Sequence, residues 1–524
     1  MHSEIYLDAN ATSPVLPAAI QAAQGALLAC FGNPSSSHAA GLRARALLDD
    51  ARSRARRVLG APDGRLLFTS GATEGIQTAV LSALCAVRER RAAGLPCGDL
   101  LLYGATEHKA VPESLAHWNA LLGTNLTIKA LPVDADGRHR LDTLRALAPR
   151  AALICTMAAN NETGIVSDLD GIAAVLEETA SPARWMVDCV QALGKLPLAL
   201  SSTRIDYAPF SGHKLYAPKG IGMLYVRAGA PFTPLMCGGG QEDGQRSGTE
   251  NMAGIAALGA VLRALEEGRT FMSHAQMAAA RARLAAALWS AFPGLVFNAP
   301  FEHALPTTLN FTVPGRSGKA LLDLFDAAGV RVSAGSACSA AKAAPSYVLL
   351  AMGLPEERCA NAVRMSFGPL ADEAFIDAAC ARIARCGQAL GTLPPAPCPV
   401  TGSGAGAGAG AAPQPAPAST GLIPCGLDGN ALLRFLDRHP DALLIDVREA
   451  CEHALGTPLL HGRAAYSLPL SRLPDHAAWL CRETRPLVFF CRSGKRSAEA
   501  AQIAQQLGHG NVRHLAGGLA LLAP

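Results

Sequence analysis

Residues 184–214 read RWMVDCVQALGKLPLALSSTRIDYAPFSGHK. Trp185-Met186-Val187-Asp188-Cys189 is an apolar β-like run that ends in a carboxylate, three residues before Gln191. Some twenty residues on, Phe210-Ser211-Gly212-His213-Lys214 delivers a lysine behind a Ser-Gly-His loop. Similar β-like runs flank this stretch: RLLFTS (65–70), AALICTM (151–157) and GMLYVR (222–227). They alternate with Ala/Leu-rich helical stretches such as AAIQAAQGALLAC (18–30) and GLRARALLDDARSRARRVLG (41–60). Alternation of this kind predicts an α/β layered fold with a mainly parallel sheet. Sites in such folds gather in the loops at the C-terminal ends of the strands, where Asp188 and Lys214 both fall.

The chain has 524 residues, enough for about three domains. Half of them are hydrophobic and 17% are charged, so a large core is available and wholesale disorder is excluded. A net charge of +4, from 46 basic and 42 acidic residues, lacks the basic bias of a polyanion binder, and direct nucleic-acid binding is not expected. Fifteen cysteines are scattered without a C-x-x-C pair, which argues against a disulfide framework and supports no metal site. The opening MHSEIYLDANAT lacks a basic n-region and an apolar h-region, and no run of 18 apolar residues occurs. A cytoplasmic, reducing setting away from the membrane is the expectation.

Residues 392–420, TLPPAPCPVTGSGAGAGAGAAPQPAPAST, carry no charge and no periodicity and read as a linker. The expected division is a body of residues 1–390, a linker of 391–422 and a tail domain of 423–524. Within the body, a large domain is expected over 15–255, and a small one over 256–390 together with the N-terminal segment. The tail repeats the α/β style in miniature, with ALLIDVRE (442–449) and PLVFFCRSG (486–494) as strand-then-loop and SAEAAQIAQQLG (497–508) as a helix.

In the body, the run LLFTS ends in Ser70-Gly71-Ala72-Thr73 at the start of a helix. Unpaired N–H groups and the positive end of a helix dipole make an anion site there. Such a site upstream of a strand-end acid and a loop lysine supplies what pyridoxal phosphate needs. The lysine forms the Schiff base, the acid keeps the pyridine nitrogen protonated, and the donors hold the phosphate.

The ordered motifs YLDANAT, FGNPSSSH, TSGATE, TEHKAV, NNETG, VDCVQ, SGHK, RSGTEN, SAGSACSA and VRMSFG resemble those of the NifS/IscS class of cysteine desulfurases across residues 4–390. The resemblance implies the fold-type I aminotransferase architecture, a large domain with a mainly parallel seven-stranded sheet plus a small α/β domain, and a homodimer. It implies Lys214 as the Schiff-base lysine, Asp188 as the pyridinium partner and Gln191 as the partner of the ring hydroxyl. His108 of TEHKA would stack on the ring and shuttle protons. Ala72, Thr73, Ser211 and His213 would hold the phosphate, and Thr249 would reach the phosphate of the partner subunit. Asn161 and Arg364 would take the carboxylate of L-cysteine, Arg by a two-pronged hydrogen bond.

Cys338 lies in Ser333–Pro345, a run of small residues without a core-forming side chain, whereas Cys30, Cys85, Cys155 and Cys380 sit in helical or strand runs. The chemistry needs a thiolate that attacks the sulfur of the bound cysteine, and Cys338 is the candidate. The spacing from Cys338 to SYVLLAMG is similar to that of the long-loop desulfurases of iron–sulfur cluster assembly and tRNA thiolation.

In the tail, Cys491-Arg492-Ser493-Gly494-Lys495-Arg496-Ser497 follows an apolar strand and precedes a helix. N–H groups and positive charge aimed at the sulfur stabilise a thiolate or an anionic persulfide. With LIDVRE some 45 residues earlier and VRHLAGGL at the end, this resembles a single-domain rhodanese and implies Cys491 as a sulfur carrier. Residues 450–466 depart from that family's usual pattern. The expected relay runs from L-cysteine to Cys338, then to Cys491, then to an acceptor protein or sulfur carrier. A pyridoxal-phosphate aminotransferase or β-lyase with a redox-sensing tail, and a sulfur-carrier scaffold without activity, remain open at this level. The arginines of residues 42–59 (Arg43, Arg45, Arg52, Arg54, Arg56 and Arg57) are expected to form a solvated face, with docking of an acidic acceptor or tRNA as the alternative.

Overall fold

The computed structural model describes residues 4–335, 344–391 and 425–522. Cys338 and the 392–420 linker lie outside the described residues. Two compact units are present. One comprises Met1–Trp289, Pro293–Lys319 and Arg331–Cys380; the other comprises Ser290–Phe292, Ala320–Val330 and Ala381–Pro524.

The first unit is built on seven strands: β1 (Arg65–Thr69), β2 (Leu100–Gly104), β3 (Thr127–Leu131), β4 (Ala151–Met157), β5 (Arg184–Asp188), β6 (Tyr207–Ser211) and β7 (Gly222–Val226). Their order is β1-β7-β6-β5-β4-β2-β3, and all pairs are parallel except those of β7, which runs antiparallel to both neighbours. The expected mainly parallel seven-stranded sheet is therefore present. All seven residues of β4 are buried because helices cover both faces. Ile154 packs on one side with Trp185, Val187 and Phe210, while Leu153 and Cys155 pack on the other with Ile76, Val80 and Leu84.

Register brings the two sequence motifs together. Gly222 of β7 lies opposite Thr69 of β1 and Ser211 of β6, so TSGAT and SGHK emerge side by side. Only glycine fits at 222: a Cβ there would lie 2.4 Å from the Phe210 carbonyl oxygen and 2.7 Å from Gly71 Cα. Three helices bear on the site or its surroundings: α1 (Pro17–Ala29), α2 (Ala39–Val58) and α3 (Ala72–Ala92), the last starting where β1 ends.

A second, antiparallel sheet in this unit joins β8 (Val296–Phe297), β9 (Thr308–Thr312), β10 (Ser333–Ala334) and β11 (Val363–Ser366) in the order β10-β11-β9-β8. The N-terminal segment runs along β11, with Ser366 donating to Leu7 O (2.8 Å) and Ala9 donating to Ser366 O (3.0 Å). That pairing carries Asp8 and Asn10 to the edge of the large sheet.

The arginines of α2 are largely spent within the unit. Arg52 pairs with Glu242 (2.8 Å), Arg54 and Arg57 share Glu266 (2.7 and 2.6 Å), and Arg56 binds the carbonyls of Pro62 and Gly64. These contacts account for four of the six arginines; Arg43 and Arg45 are exposed.

The second unit carries a parallel five-stranded sheet of β12 (Gly426–Leu427), β13 (Leu443–Asp446), β14 (Tyr466–Ser467), β15 (Leu487–Phe490) and β16 (Val512–Leu515), ordered β12-β16-β15-β13-β14. Ile445 and Phe489 face one apolar cluster, and Leu444, Val488 and Phe490 face another. Burial on both faces explains why LLID and LVFF read as unbroken apolar runs. Among the described residues no helix is long and apolar enough to cross a membrane, and no group of metal-ligating side chains is present.

Candidate active site

At the C-terminal edge of the seven-stranded sheet lies a cavity of about 490 Å³, within the size range of small-molecule sites. Ala72, Thr73, His108, Asn161, Asp188, Gln191, Ser211, His213, Lys214 and Arg364 all line it. Thr249 does not; it is exposed, and its neighbours Gly248 and Glu250 border a smaller hollow with Arg246.

Each group is placed by its element. Asp188 is the last residue of β5 and accepts a hydrogen bond from Val190 N (2.9 Å). Burial pushes its carboxyl above the usual range, against that hydrogen bond and the positive fields of His108 and Lys214. A cationic ring nitrogen beside it would reverse the balance. His108 Nδ1 accepts from Ala110 N (3.2 Å), which leaves the proton of the neutral ring on Nε2. Burial lowers its pKa below 6.5, Asp188 opposes the shift, and Lys214 and Lys109 add to it.

Lys214 Nζ donates to the carbonyls of Asn10 and Ala11, each at 2.8 Å. His213, burdened by burial and then by Lys214 and Lys219, falls to about 4 and is neutral at physiological pH. Its Nδ1 lies 3.1 Å from Thr12 Oγ1. At the start of α3, Glu74 accepts from Ser70 N (2.7 Å) and pairs with Arg246 (3.0 Å), while Ala72 and Thr73 occupy the first helical turn, where N–H groups lack helical partners.

Arg364, also at the cavity, is a buried guanidinium, 1% exposed. It donates to Asn161 O (3.1 Å) and Asp8 Oδ1 (2.7 Å), and its Nε has no partner among the described residues. Of the adjacent asparagines, Asn160 spends its amide on Thr106 O and on the N–H groups of Glu162 and Thr163, and Asn161 is the one at the cavity.

Several site groups escape a reading of the sequence. Asn10 joins Lys214, Gln191 and Asn161 O by hydrogen bonds, and Lys219 and Gly220 complete the wall. Asn10 lies within the YLDANAT motif, but nothing local says that its carbonyl meets the lysine. Glu107, next to His108, is wholly buried; burial and then the charge of Asp188 raise its carboxyl well above the usual range.

In the second unit Cys491 follows β15 and is buried, and its Sγ accepts from Gly494 N (3.2 Å) and Ser497 N (3.4 Å). Gly494 has φ +86°, and a Cβ there would lie 2.7 Å from Gly517 N, so the loop shape requires glycine. Ser493 and Lys495 are exposed, Arg492 and Arg496 half-buried, and Arg496 pairs with Glu452 (2.5 Å). Asp446 grips Arg448 through both carboxylate oxygens. The divergent 450–466 stretch forms a short helix, Ala450–Ala454, followed by mostly irregular chain.

Comparisons with known proteins find relatives of both units. The model of class-V aminotransferases matches residues 5–378, and that of rhodanese-like domains matches residues 430–522. A cysteine desulfurase of Gluconacetobacter diazotrophicus is 39% identical over 375 residues, covering 71% of this chain and 90% of that protein. A solved structure of a NifS-like protein superposes with a TM-score of 0.65 at 31% identity, over 74% of this chain and 100% of its own. SspA in complex with cysteine gives a TM-score of 0.59 at 28% identity, over 70% of this chain and 99% of its own. Enzymes of this family depend on pyridoxal phosphate, and the cavity fits it, with a lysine, a buried strand-end acid and a helix N-terminus on one wall. The chain belongs to the class-V aminotransferase family, among its NifS-like cysteine desulfurases, and carries a rhodanese-like domain at its C-terminal end.

Proposed function

We propose that this protein takes sulfur from L-cysteine onto Cys338, releases L-alanine, and hands the sulfur to Cys491 for delivery to an acceptor. The observation that carries the reading is the pairing of Lys214, Asp188 and His108 with Arg364 around one cavity, in a chain that also holds a thiol cradled by backbone N–H groups. Pyridoxal phosphate, when bound, supplies the electron sink that lets the amino acid lose its Cα proton.

The chain's own groups do the rest. Lys214 and His108 are the groups that would move protons, and neutral His108, its Nδ1 accepting from Ala110 N, has the Nε2 proton to give. Arg364, with a spare buried Nε donor, and Asn161 orient the substrate carboxylate. The donors of the first turn of α3, with Ser211 and His213, would hold the phosphate. Cys338 takes the sulfur atom: L-cysteine and its thiol become L-alanine and a Cys338 persulfide. In the second step the Cys491 thiol accepts the outer sulfur and Cys338 returns as a thiol, so no external oxidant is needed. Gly494 N and Ser497 N would stabilise the negative persulfide on Cys491, with Arg492, Ser493, Lys495 and Arg496 around the loop.

Residues 391–422 have the composition of a linker, and joining the two thiols in one chain would raise the effective concentration of each at the other. A homodimer fits the exposed Leu27, Leu28 and Phe31 at the end of α1, which are 66%, 72% and 71% exposed, and would give Thr249 a partner phosphate to reach. The reading places the enzyme in the cytoplasm, where the free thiols of the described cysteines stay reduced. Iron–sulfur cluster assembly, tRNA thiolation and cofactor biosynthesis are the candidate destinations. Radiolabelled cysteine should label both thiols of the wild type. Cys338→Ser should label neither, and Cys491→Ser should label Cys338 alone. Labelling of Cys491 in Cys338→Ser would overturn the relay.

A further inference from the structure

One ionisable side chain of the first unit is buried beside the cofactor cavity without a task in the reaction above. Lys195 is 4% exposed and lies one helical turn after Gln191 in the loop that follows β5. Gly194 takes φ +73°, a left-handed turn that glycine adopts readily, immediately before it. The Lys195 ammonium donates to Gln191 Oε1 at 2.7 Å and approaches Asn10 Oδ1 at 3.5 Å. Burial first, and then the positive charges of Lys214 and Arg364, bring it down to about 7.

A buried lysine held for stability is expected to have a carboxylate partner, since an uncompensated buried charge costs stability. Lys195 has instead the oxygen of a neutral amide. In its protonated form Lys195 only donates, so it selects the oxygen end of an amide that faces it. Gln191 is thereby obliged to turn its oxygen toward Lys195 and its NH2 away, where Nε2 donates to Asn10 O at 3.1 Å. The same carbonyl accepts from Lys214 Nζ at 2.8 Å. Three hydrogen bonds thus run from one lysine to the other through the amide of Gln191 and the backbone of Asn10.

We propose that Lys195 is a positioning residue that sets the polarity of the Gln191 amide, so that Gln191 presents a donor and never an acceptor to the oxygen substituent of the cofactor ring. The inference rests on the reading that Gln191 touches that oxygen. Without Lys195 the amide can flip and offer its oxygen to an oxygen, which weakens cofactor binding. It also changes the electron density that the ring oxygen shares with the lysine–cofactor linkage.

The test uses the full-length enzyme as Lys195→Met, Lys195→Gln, Gln191→Leu and the double variant Lys195→Met/Gln191→Leu. Two quantities are read: the dissociation constant for pyridoxal phosphate added to the stripped protein, and the pH midpoint at which the visible absorption band of the bound cofactor changes. Lys195→Met should weaken cofactor binding about tenfold, the scale of one lost hydrogen bond to an ionised group, and should move the midpoint. Lys195→Gln keeps an uncharged donor and should recover part of both. In the Gln191→Leu background, Lys195→Met should no longer change cofactor binding, because its hydrogen-bonded route to the cofactor through Gln191 is gone, and should keep only the part of the midpoint shift that its charge exerts directly on Lys214. A Lys195→Met protein with both quantities unchanged, while Gln191→Leu alters them, overturns the inference and leaves the role of Gln191 standing. Gln191→Leu without effect overturns both. A full Lys195→Met effect in the Gln191→Leu background assigns Lys195 to packing or charge alone and also overturns it.

Discussion

Arg364 Nη2 lies 2.7 Å from Asp8 Oδ1, and Asp8 Oδ2 in turn accepts from Ser333 Oγ at 2.6 Å. The arginine assigned to the substrate carboxylate is therefore already paired with a carboxylate of the chain, one carried to it by the N-terminal segment. Asp8 compensates the buried charge of Arg364 and at the same time repels an incoming anion. Removing its charge should separate these effects. Asp8→Asn is expected to bind carboxylate ligands several-fold more tightly, and to lose about 2 kcal/mol of stability, less than a fully buried pair would cost because Asp8 is partly exposed. Ligand titration and urea unfolding of the same protein check both, and weaker carboxylate binding would refute the competition.

Arg364 itself offers a sharper test. Arg364→Lys keeps a positive charge but loses the fork, so it should raise KM for cysteine about tenfold to a hundredfold, with a smaller effect on kcat. An unchanged KM would remove Arg364 from the substrate site.

The titration of His108 carries a sign. Burial, aided by Lys214 and Lys109 against Asp188, holds its imidazolium below 6.5. The neutral ring, with its proton on Nε2, therefore prevails at neutral pH and gives way to the imidazolium only on acidification below 6.5. Nuclear magnetic resonance titration of the cofactor-free protein should place the midpoint of His108 below 6.5; a midpoint above that value contradicts the assignment.

Glu162 accepts from Ser346 Oγ at 2.5 Å, and burial raises its carboxyl to about 7 against the pull of Ser346, Arg364 and Lys109. A raised carboxyl contributes its stability when protonated, below the unfolded value, and loses it as pH rises through about 7. Between about pH 5 and pH 8 the wild type should therefore lose on the order of 2 kcal/mol relative to Glu162→Gln, as read from paired urea titrations. A stability difference that is flat with pH would show that Glu162 is ionised throughout.

The Cys491 cradle depends on the left-handed backbone of Gly494. Gly494→Ala puts a Cβ against Gly517 N and should cost the second unit about 1–3 kcal/mol. It should also abolish sulfur loading of Cys491 while cysteine-dependent alanine release persists. Loading at the wild-type level would show that the N–H groups of Gly494 and Ser497 do not hold the persulfide.

Much of this protein can be read along the chain, because the features concerned are local. Continuous apolar runs such as AALICTM and LVFF announce strands buried on both faces, and the α/β alternation follows from them. Asp188, Lys214 and Cys491 stand at strand-to-loop junctions, which period and turn chemistry reveal within a few residues. What folding alone settled involves groups far apart in sequence. Asn10 meets Lys214 only because the N-terminal segment pairs with β11, and Asp8 reaches Arg364 by the same route across 356 positions. Lys195 shows the limit most clearly: as one lysine in QALGKLP it looks like any solvated charge. Burial and the orientation of a neighbouring amide depend on what surrounds a residue in space, and a one-dimensional pattern does not contain them.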